Sequence, residues 1–288
     1  NEEGQPTGEK HKGPDAVKRC IELGKELQDW MDKNNLKGTG QCLEYEKTFY
    51  PLILISKKRY VGNKYEMDHT KCYRDSNGIV LKRRDNAPIV KHVFGNVIEK
   101  IIEDKKIDLA HEFLKNTLKT LDDPTLFPVD YFVISKTLRG YYKCPPAHKL
   151  LANRMAERDP GTAPKSNDRL PYVYIKLNKK RLWREKTLKM KDANGVPIVR
   201  HYKNNTIKQG DKIEHIDYYN QHATDKDPLK LDYTFYITNQ IMNSVVQVLD
   251  LDCCTDSGNT AEYKGAASNT FTDVIEHYKN KYDGHKPV

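Results

Sequence analysis

At Asn86 the hydrophobic repeat of this chain changes period, and that change limits what the chain can fold into. Upstream, Leu43, Tyr45, Lys47 and Phe49 alternate with Glu44, Glu46 and Thr48, the two-residue period of a strand. Residues 51–56 continue as an unbroken apolar run, as expected of a strand covered on both faces. Residues 57–65 read as a turn and a second strand, and 78–84 as a third. One helix precedes them, opened by Pro14 and carried by Val17, Ile21, Leu23, Leu27, Trp30 and Met31 as far as residues 34–35.

Downstream the period is helical. Val90, Val93, Phe94, Val97, Ile98, Ile101 and Ile102 mark one amphipathic helix, and Leu109, Phe113, Leu114, Leu118 and Leu121 a second. Residues 129–138 read as extended, 145–158 as a helix begun by a Pro-Pro pair, and 172–177 as a strand. Two more helices are expected at 231–249 and 269–282. The fold class predicted is α+β: a partial antiparallel sheet with one helix over residues 1–85, then a mostly helical domain over 86–288. A small basic β insertion is expected at 178–209, turning at Asn194-Gly195.

Charge narrows the function classes. The 288 residues carry a net charge of +9, and it is unevenly spread. Residues 52–91 hold ten Lys/Arg against four Asp/Glu, and residues 172–215 hold twelve against four. Clustered cations attract polyanions and release counterions when phosphates bind, although a Lys-rich solvated face has the same composition. No run approaches the roughly 18 apolar residues of a membrane-spanning helix, and no membrane partner is expected. Six scattered cysteines, with Cys253 and Cys254 adjacent, suggest free thiols in a reducing compartment rather than a disulfide scaffold. The first residues are neither a signal nor a transit peptide, and without an initiator Met the chain reads as starting inside a longer protein.

The stretch with most chemistry runs from Leu43 to Gly62. On a strand, Glu44 and Glu46 would face the same side. After the apolar run come Lys57, Lys58, Arg59, Tyr60 and Gly62. Cations with an aromatic could line a groove, and glycine allows close backbone approach. That grouping suits a nucleic-acid backbone or minor groove beside a metal-dependent phosphoryl centre. Glu46 has an alternative as a surface acid paired with Lys47 or Lys58, and Tyr60 as a half-buried strand aromatic.

This stretch resembles the family B DNA polymerases, most closely the replicative delta type and its large-DNA-virus relatives. Their palm carries a Glu-x-Glu-Lys strand followed by Pro-x-Leu and Lys-Lys-Arg-Tyr-x-Gly; here residues 44–47 are Glu-Tyr-Glu-Lys, 50–56 are Tyr-Pro-Leu-Ile-Leu-Ile-Ser and 57–62 are Lys-Lys-Arg-Tyr-Val-Gly. Residues 80–85 (Val-Leu-Lys-Arg-Arg-Asp) resemble the family's strand at the passage from palm to thumb. Residues 134–138 (Ile-Ser-Lys-Thr-Leu), Ala147-His148 with Ala152, Arg154 and Met155, and Asp168-Arg169-Leu-Pro-Tyr172 resemble successive thumb motifs. Tyr233, Tyr236, Asn239-Gln240 and Asn243 stand where a thumb helix would lie. Ser244 stands where that helix usually has Pro, a change expected to straighten it.

The resemblance implies the end of a palm (1–85) and a thumb (86–288) of a DNA-directed DNA polymerase, whose partners are primer–template DNA and the rest of the polymerase chain. It implies Mg ions in the parent enzyme, held by an Asp pair in a Tyr-Gly-Asp-Thr-Asp-Ser hairpin absent from this sequence. No metal is expected in this chain, and on its own it should not polymerise. Glu46 or Glu44 would be a supporting carboxylate near those metals. Lys57, Lys58, Arg59, Tyr60 and Gly62 would lie against new duplex, and Arg83 and Arg84 on primer phosphates unless one pairs with Asp85. Ser135, Lys136, Arg139, His148, Arg154 and Arg169 would form the thumb's gripping face, with His148 and Arg154 too far round a helix to share one role. Tyr233, Tyr236 and Gln240 suit packing better than contact. Asp250/Asp252 and Asp225/Asp227 have a metal-like spacing but lack the surrounding motif. A sliding-clamp motif is not found, and localisation would be the nucleus or a viral replication site in a host cell. The alternative is a non-catalytic basic DNA-binding protein, or one subunit of a split polymerase.

Overall fold

The computed structural model describes residues 13–34, 37–104, 106–177, 183–191, 197–203, 209–226, 228–250 and 266–283. The chain divides into two units, one of residues 1–82 with 99–105 and the other of 83–98 with 106–288.

In the first unit, helix α1 (Gly13–Asn34) buries Val17 and Ile21 and contacts strand β1 (Thr48–Ser56). β1 pairs antiparallel with β2 (Arg59–Tyr65), and β2 with β3 (Cys72–Asn77), giving the order β1-β2-β3. Opposite partners Ile53 and Val61 are buried on one face of this sheet.

Three expectations are corrected in this unit. Of the alternating segment 43–49 only Thr48 and Phe49 are strand, as the start of β1; residues 43–47 are irregular. Tyr45 lies so close over Gly24 of α1 that a Cβ there would sit 2.3 Å from its ring. Its N–H donates to Gln28 Oε1 at 3.1 Å, so a helix side chain takes the bond that a neighbouring strand would have made. The apolar run 51–56 is covered on one face only, since Leu52 and Leu54 are 45% and 59% exposed on β1, an edge strand. The third strand is Cys72–Asn77, not 78–84. Gly78, at φ +62°, turns the chain out of the sheet, and residues Val80–Lys82 coil into a 3₁₀ turn.

In the second unit, residues 88–98 of α2 (Pro88–Ile102) bury Ile89, Val90, Val93, Phe94, Val97 and Ile98. Helix α3 (Ile107–Lys119) buries Ala110, Leu114 and Leu118, matching the helical period of the sequence. A 3₁₀ turn (Val129–Phe132) leads into β4 (Ile134–Thr137), and α4 (Ala147–Arg158) begins directly after Pro146. β4 pairs with β5 (Arg169–Tyr174), and β5 with β8 (Ile213–His215), all antiparallel. Between β5 and β8 stand β6 (Trp183–Lys191) and β7 (Pro197–Lys203), an antiparallel pair as the 178–209 pattern suggests; the Asn194-Gly195 turn lies outside the described residues.

A short α5 (Ile216–Gln221) follows β8. The next helical run opens as α6 (Tyr233–Phe235), widens into a π-helix (Tyr236–Met242) and closes as α7 (Asn243–Leu249). The residue at 244 therefore does not leave a uniform α-helix before it. Tyr236 is fully buried, donates from its hydroxyl to Phe132 O at 2.6 Å, and accepts the Tyr174 N–H at 2.9 Å. It ties the helical run to the Val129–Phe132 turn and to β5. Helix α8 (Ala266–Asp283) closes the unit, burying Ala267, Phe271, Val274 and Tyr278. Tyr278 donates to Leu118 O at 3.0 Å, and Asp122 takes Lys281 at 2.6 Å and the Tyr282 hydroxyl. Burial works to raise the Asp122 pKa, but those hydrogen bonds hold it below the usual carboxylate range.

Candidate nucleic-acid interface

The first unit presents its cations at the tip of a hairpin. Ser56 pairs with Arg59, so Lys57 and Lys58 form a two-residue turn between β1 and β2. Such turns need positive φ, and Lys58 has φ +63°. Both lysines are exposed, and among the described residues neither has a carboxylate partner. The tip is held from below by Gly78, where a Cβ would meet the Lys58 carbonyl oxygen at 2.3 Å. Gly78→Ala is therefore expected to lose about 2 kcal/mol or more, from backbone strain together with displacement of the turn. Faster amide hydrogen exchange at residues 56–60 would register it; unchanged exchange would mean the turn tolerates the methyl group.

Tyr60 is half-buried, its ring edge-on to Phe49 at 5.4 Å. In the register it shares a face with Leu52, Leu54 and Gly62, the open face of the sheet. Gly62 is buried, and a Cβ there would come within 2.6 Å of the Pro51 carbonyl oxygen. The backbone that approaches this glycine is that of β1. Glu44 and Glu46 precede β1 in irregular chain, and both are exposed. Glu46 is 77% exposed and bonds Lys47 at 2.6 Å, the surface pair its sequence context allowed.

In the second unit, Arg83 binds Asp85 through two parallel bonds, Nε to Oδ1 at 3.1 Å and Nη2 to Oδ2 at 3.2 Å. The Arg83 hydrogen bond is the main cause holding the Asp85 pKa below its usual range. Arg84 stays exposed. Arg169 donates to Ser135 Oγ at 3.1 Å and to Ser135 O at 2.8 Å, clamping β5 onto β4. Because Thr137 opposes Arg169 and Lys136 opposes Leu170, Ser135 and Arg169 lie on one face of that sheet and Lys136 on the other.

His148, in the first turn of α4, contacts the Tyr142 hydroxyl at 3.1 Å, and that hydroxyl accepts the Arg139 N–H at 2.7 Å. Burial, and then the charge of Lys136, push the His148 pKa down, so this imidazole is neutral at pH 7. Arg154 lies elsewhere, on the carbonyl oxygens of Gly210 at 3.0 Å and Ile213 at 2.6 Å and against Glu214. The single gripping face expected from sequence thus separates into three local arrangements. What sequence reasoning missed is the partner: Glu214 is fully buried and sixty positions from Arg154.

For the Mg ions that the resemblance implies, the donor set does not fit. Among the described residues no group of three or more His, Cys, Asp or Glu side chains could hold a metal ion. Asp225 and Asp250 are described but their companions Asp227 and Asp252 lie outside the described residues. Among the described residues, no helix is long and apolar enough to cross a membrane.

In the first unit the small open-faced sheet ends in a basic hairpin tip. The model of DNA polymerase family B matches residues 11–251, and the chain belongs to that family. It is 44% identical over 239 residues to the DNA polymerase of Pyramimonas orientalis virus, covering 82% of this chain and 17% of that protein. The DNA polymerase of Acanthamoeba polyphaga mimivirus is 44% identical over 213 residues, 73% of this chain and 11% of the relative. The DNA polymerase delta catalytic subunit of Candida albicans is 36% identical over 168 residues, 57% of this chain and 16% of the relative. The chain therefore spans less than a fifth of the length of these relatives.

Proposed function

We propose that this chain is the duplex-holding part, palm end and thumb, of a DNA-directed DNA polymerase that extends a primer from deoxynucleoside triphosphates. The two units would be those parts in that order, working at a nuclear or viral replication site. The observation that carries this reading is the exposed Lys57–Lys58 turn, held rigidly by Gly78, within a chain of this family. Two-metal nucleotidyl transfer would belong to residues outside this sequence, and no step of it is assigned to Glu44 or Glu46. The work of this chain is positional. Lys57, Lys58 and Arg59 meet phosphates and groove edges, with Tyr60 beside them, while Arg84, Lys136 and Arg139 add cations on the second unit.

Phosphate contacts make binding salt-dependent, with a slope of log K against log salt of about −0.9 per phosphate neutralised. The 288-residue chain is expected to bind a labelled primer–template with a slope steeper than about −3, and with little change between unrelated sequences. Fluorescence anisotropy across a salt series reads both quantities. Binding indifferent to salt, or confined to one sequence, would overturn the duplex-holding role.

A further inference from the structure

A second cationic feature lies in the larger unit, at the root of the β6–β7 hairpin. Where the chain leaves the β5 side at Leu177 and comes back through Lys212, a cavity of about 290 Å³ opens. Lys176, Lys212 and Lys279 line it, from the end of β5, the approach to β8 and helix α8, together with Thr234 and Asp232. That volume is room for about ten waters at ~30 Å³ each, enough for a phosphate group with part of its hydration.

Among the described residues that line the cavity, Asp232 is the only carboxylate, and its Oδ1 already accepts the Phe235 N–H at 3.0 Å. Lys176 rests its Nζ over the Tyr282 ring at 4.9 Å. Among the described residues neither Lys212 nor Lys279 has a carboxylate partner. The Thr234 hydroxyl is buried and has no hydrogen-bond partner. A buried hydroxyl without a partner calls for a group to fill its bonding capacity, and lysine ammoniums bind phosphate as point charges. Residues 178–209, which separate Leu177 from Lys212 in sequence, hold ten Lys/Arg against two Asp/Glu, a composition that attracts polyanions.

We propose that this cavity is a phosphate-oxyanion site, in which Lys176, Lys212 and Lys279 supply charge and Thr234 Oγ1 donates a hydrogen bond. The phosphate comes from a nucleic-acid strand or from free pyrophosphate. The strand source rests on the duplex-holding reading above; the site itself does not.

The test compares the 288-residue chain with its Lys212→Gln/Lys279→Gln variant, using labelled primer–template across a salt series and inorganic pyrophosphate by calorimetry. A salt slope shallower by about 1–2, with DNA affinity down about three- to tenfold, supports the site with a strand as source. Lost pyrophosphate binding with unchanged DNA binding supports the site with the free anion as source. Unchanged DNA affinity, unchanged slope and unchanged pyrophosphate heats overturn it. Thr234→Val, which removes only an unpartnered hydroxyl, should weaken the same readout without lowering the unfolding midpoint. Should Lys57→Glu/Lys58→Glu leave duplex binding intact while the cavity variant abolishes pyrophosphate binding, the duplex-holding reading falls and the site stands.

Discussion

Glu214→Ala is expected to remove about 3–5 kcal/mol of folding stability from the larger unit. The Glu214 side chain is fully buried on β8 and is gripped by two guanidiniums from α4. Arg158 makes the stronger pair, Nη1 to Oε1 at 3.1 Å and Nη2 to Oε2 at 3.0 Å, while its own guanidinium lies over Tyr218 at 3.9 Å. Arg154 adds Nη2 at 3.5 Å, and donates to Gly210 O from Nη1 and to Ile213 O from Nη2. Deleting the carboxylate leaves two cations together with nothing between them, and the cost follows from that unpaired charge more than from the bond lost. Glu214→Leu should cost nearly as much, because the arginines remain. Urea denaturation followed by far-ultraviolet circular dichroism measures both; a loss below about 1 kcal/mol would mean the guanidiniums escape to solvent. Arg154→Ala should likewise lower stability while changing duplex affinity little, which separates a structural cation from a DNA-holding one.

The same residues explain what was legible in the sequence. Helices α1, α2 and α3 could be read because their apolar residues recur every three or four positions; the structure buries that stripe on α2 and α3, and on α1 its Val17 and Ile21 part, leaving Leu23, Leu27 and Trp30 exposed. The π-helical widening at Tyr236–Met242 could not, since it is bound up with the Phe132 and Tyr174 backbone groups that meet the Tyr236 hydroxyl, both more than sixty positions upstream. β3 was misplaced because Cys72–Asn77 has no aliphatic residue and lies at a sheet edge, so it has no apolar alternation to show. Segment 43–47 has the strand period but spends Tyr45 on a helix. Motif order identified the family without fixing any side chain's partner. Arg83, Arg154 and Arg169 all sit in matching motifs, and each is occupied by a protein acceptor. Lys57 and Lys58, by contrast, are exposed and have no carboxylate partner among the described residues, which is why the proposed duplex contact is placed on them.

Lys57→Glu/Lys58→Glu is accordingly expected to weaken binding to any duplex by about ten- to a hundredfold at low salt, and to make the salt slope shallower by about 2. The pair is suited to charge reversal. Both side chains are exposed, so no core contact is lost. Lys58 sits at φ +63°, where glutamate and lysine are equally strained, so the comparison isolates charge from backbone conformation. Lys57→Gln/Lys58→Gln should fall between wild type and the reversed variant, since it removes attraction without adding repulsion. The loss should be the same for unrelated duplex sequences, because phosphate contacts position a protein without reading bases. At high salt the three proteins should converge as counterions screen the tip. A reversed variant that binds as tightly as wild type at low salt would take the hairpin tip out of the interface, and with it the observation on which the duplex-holding role rests.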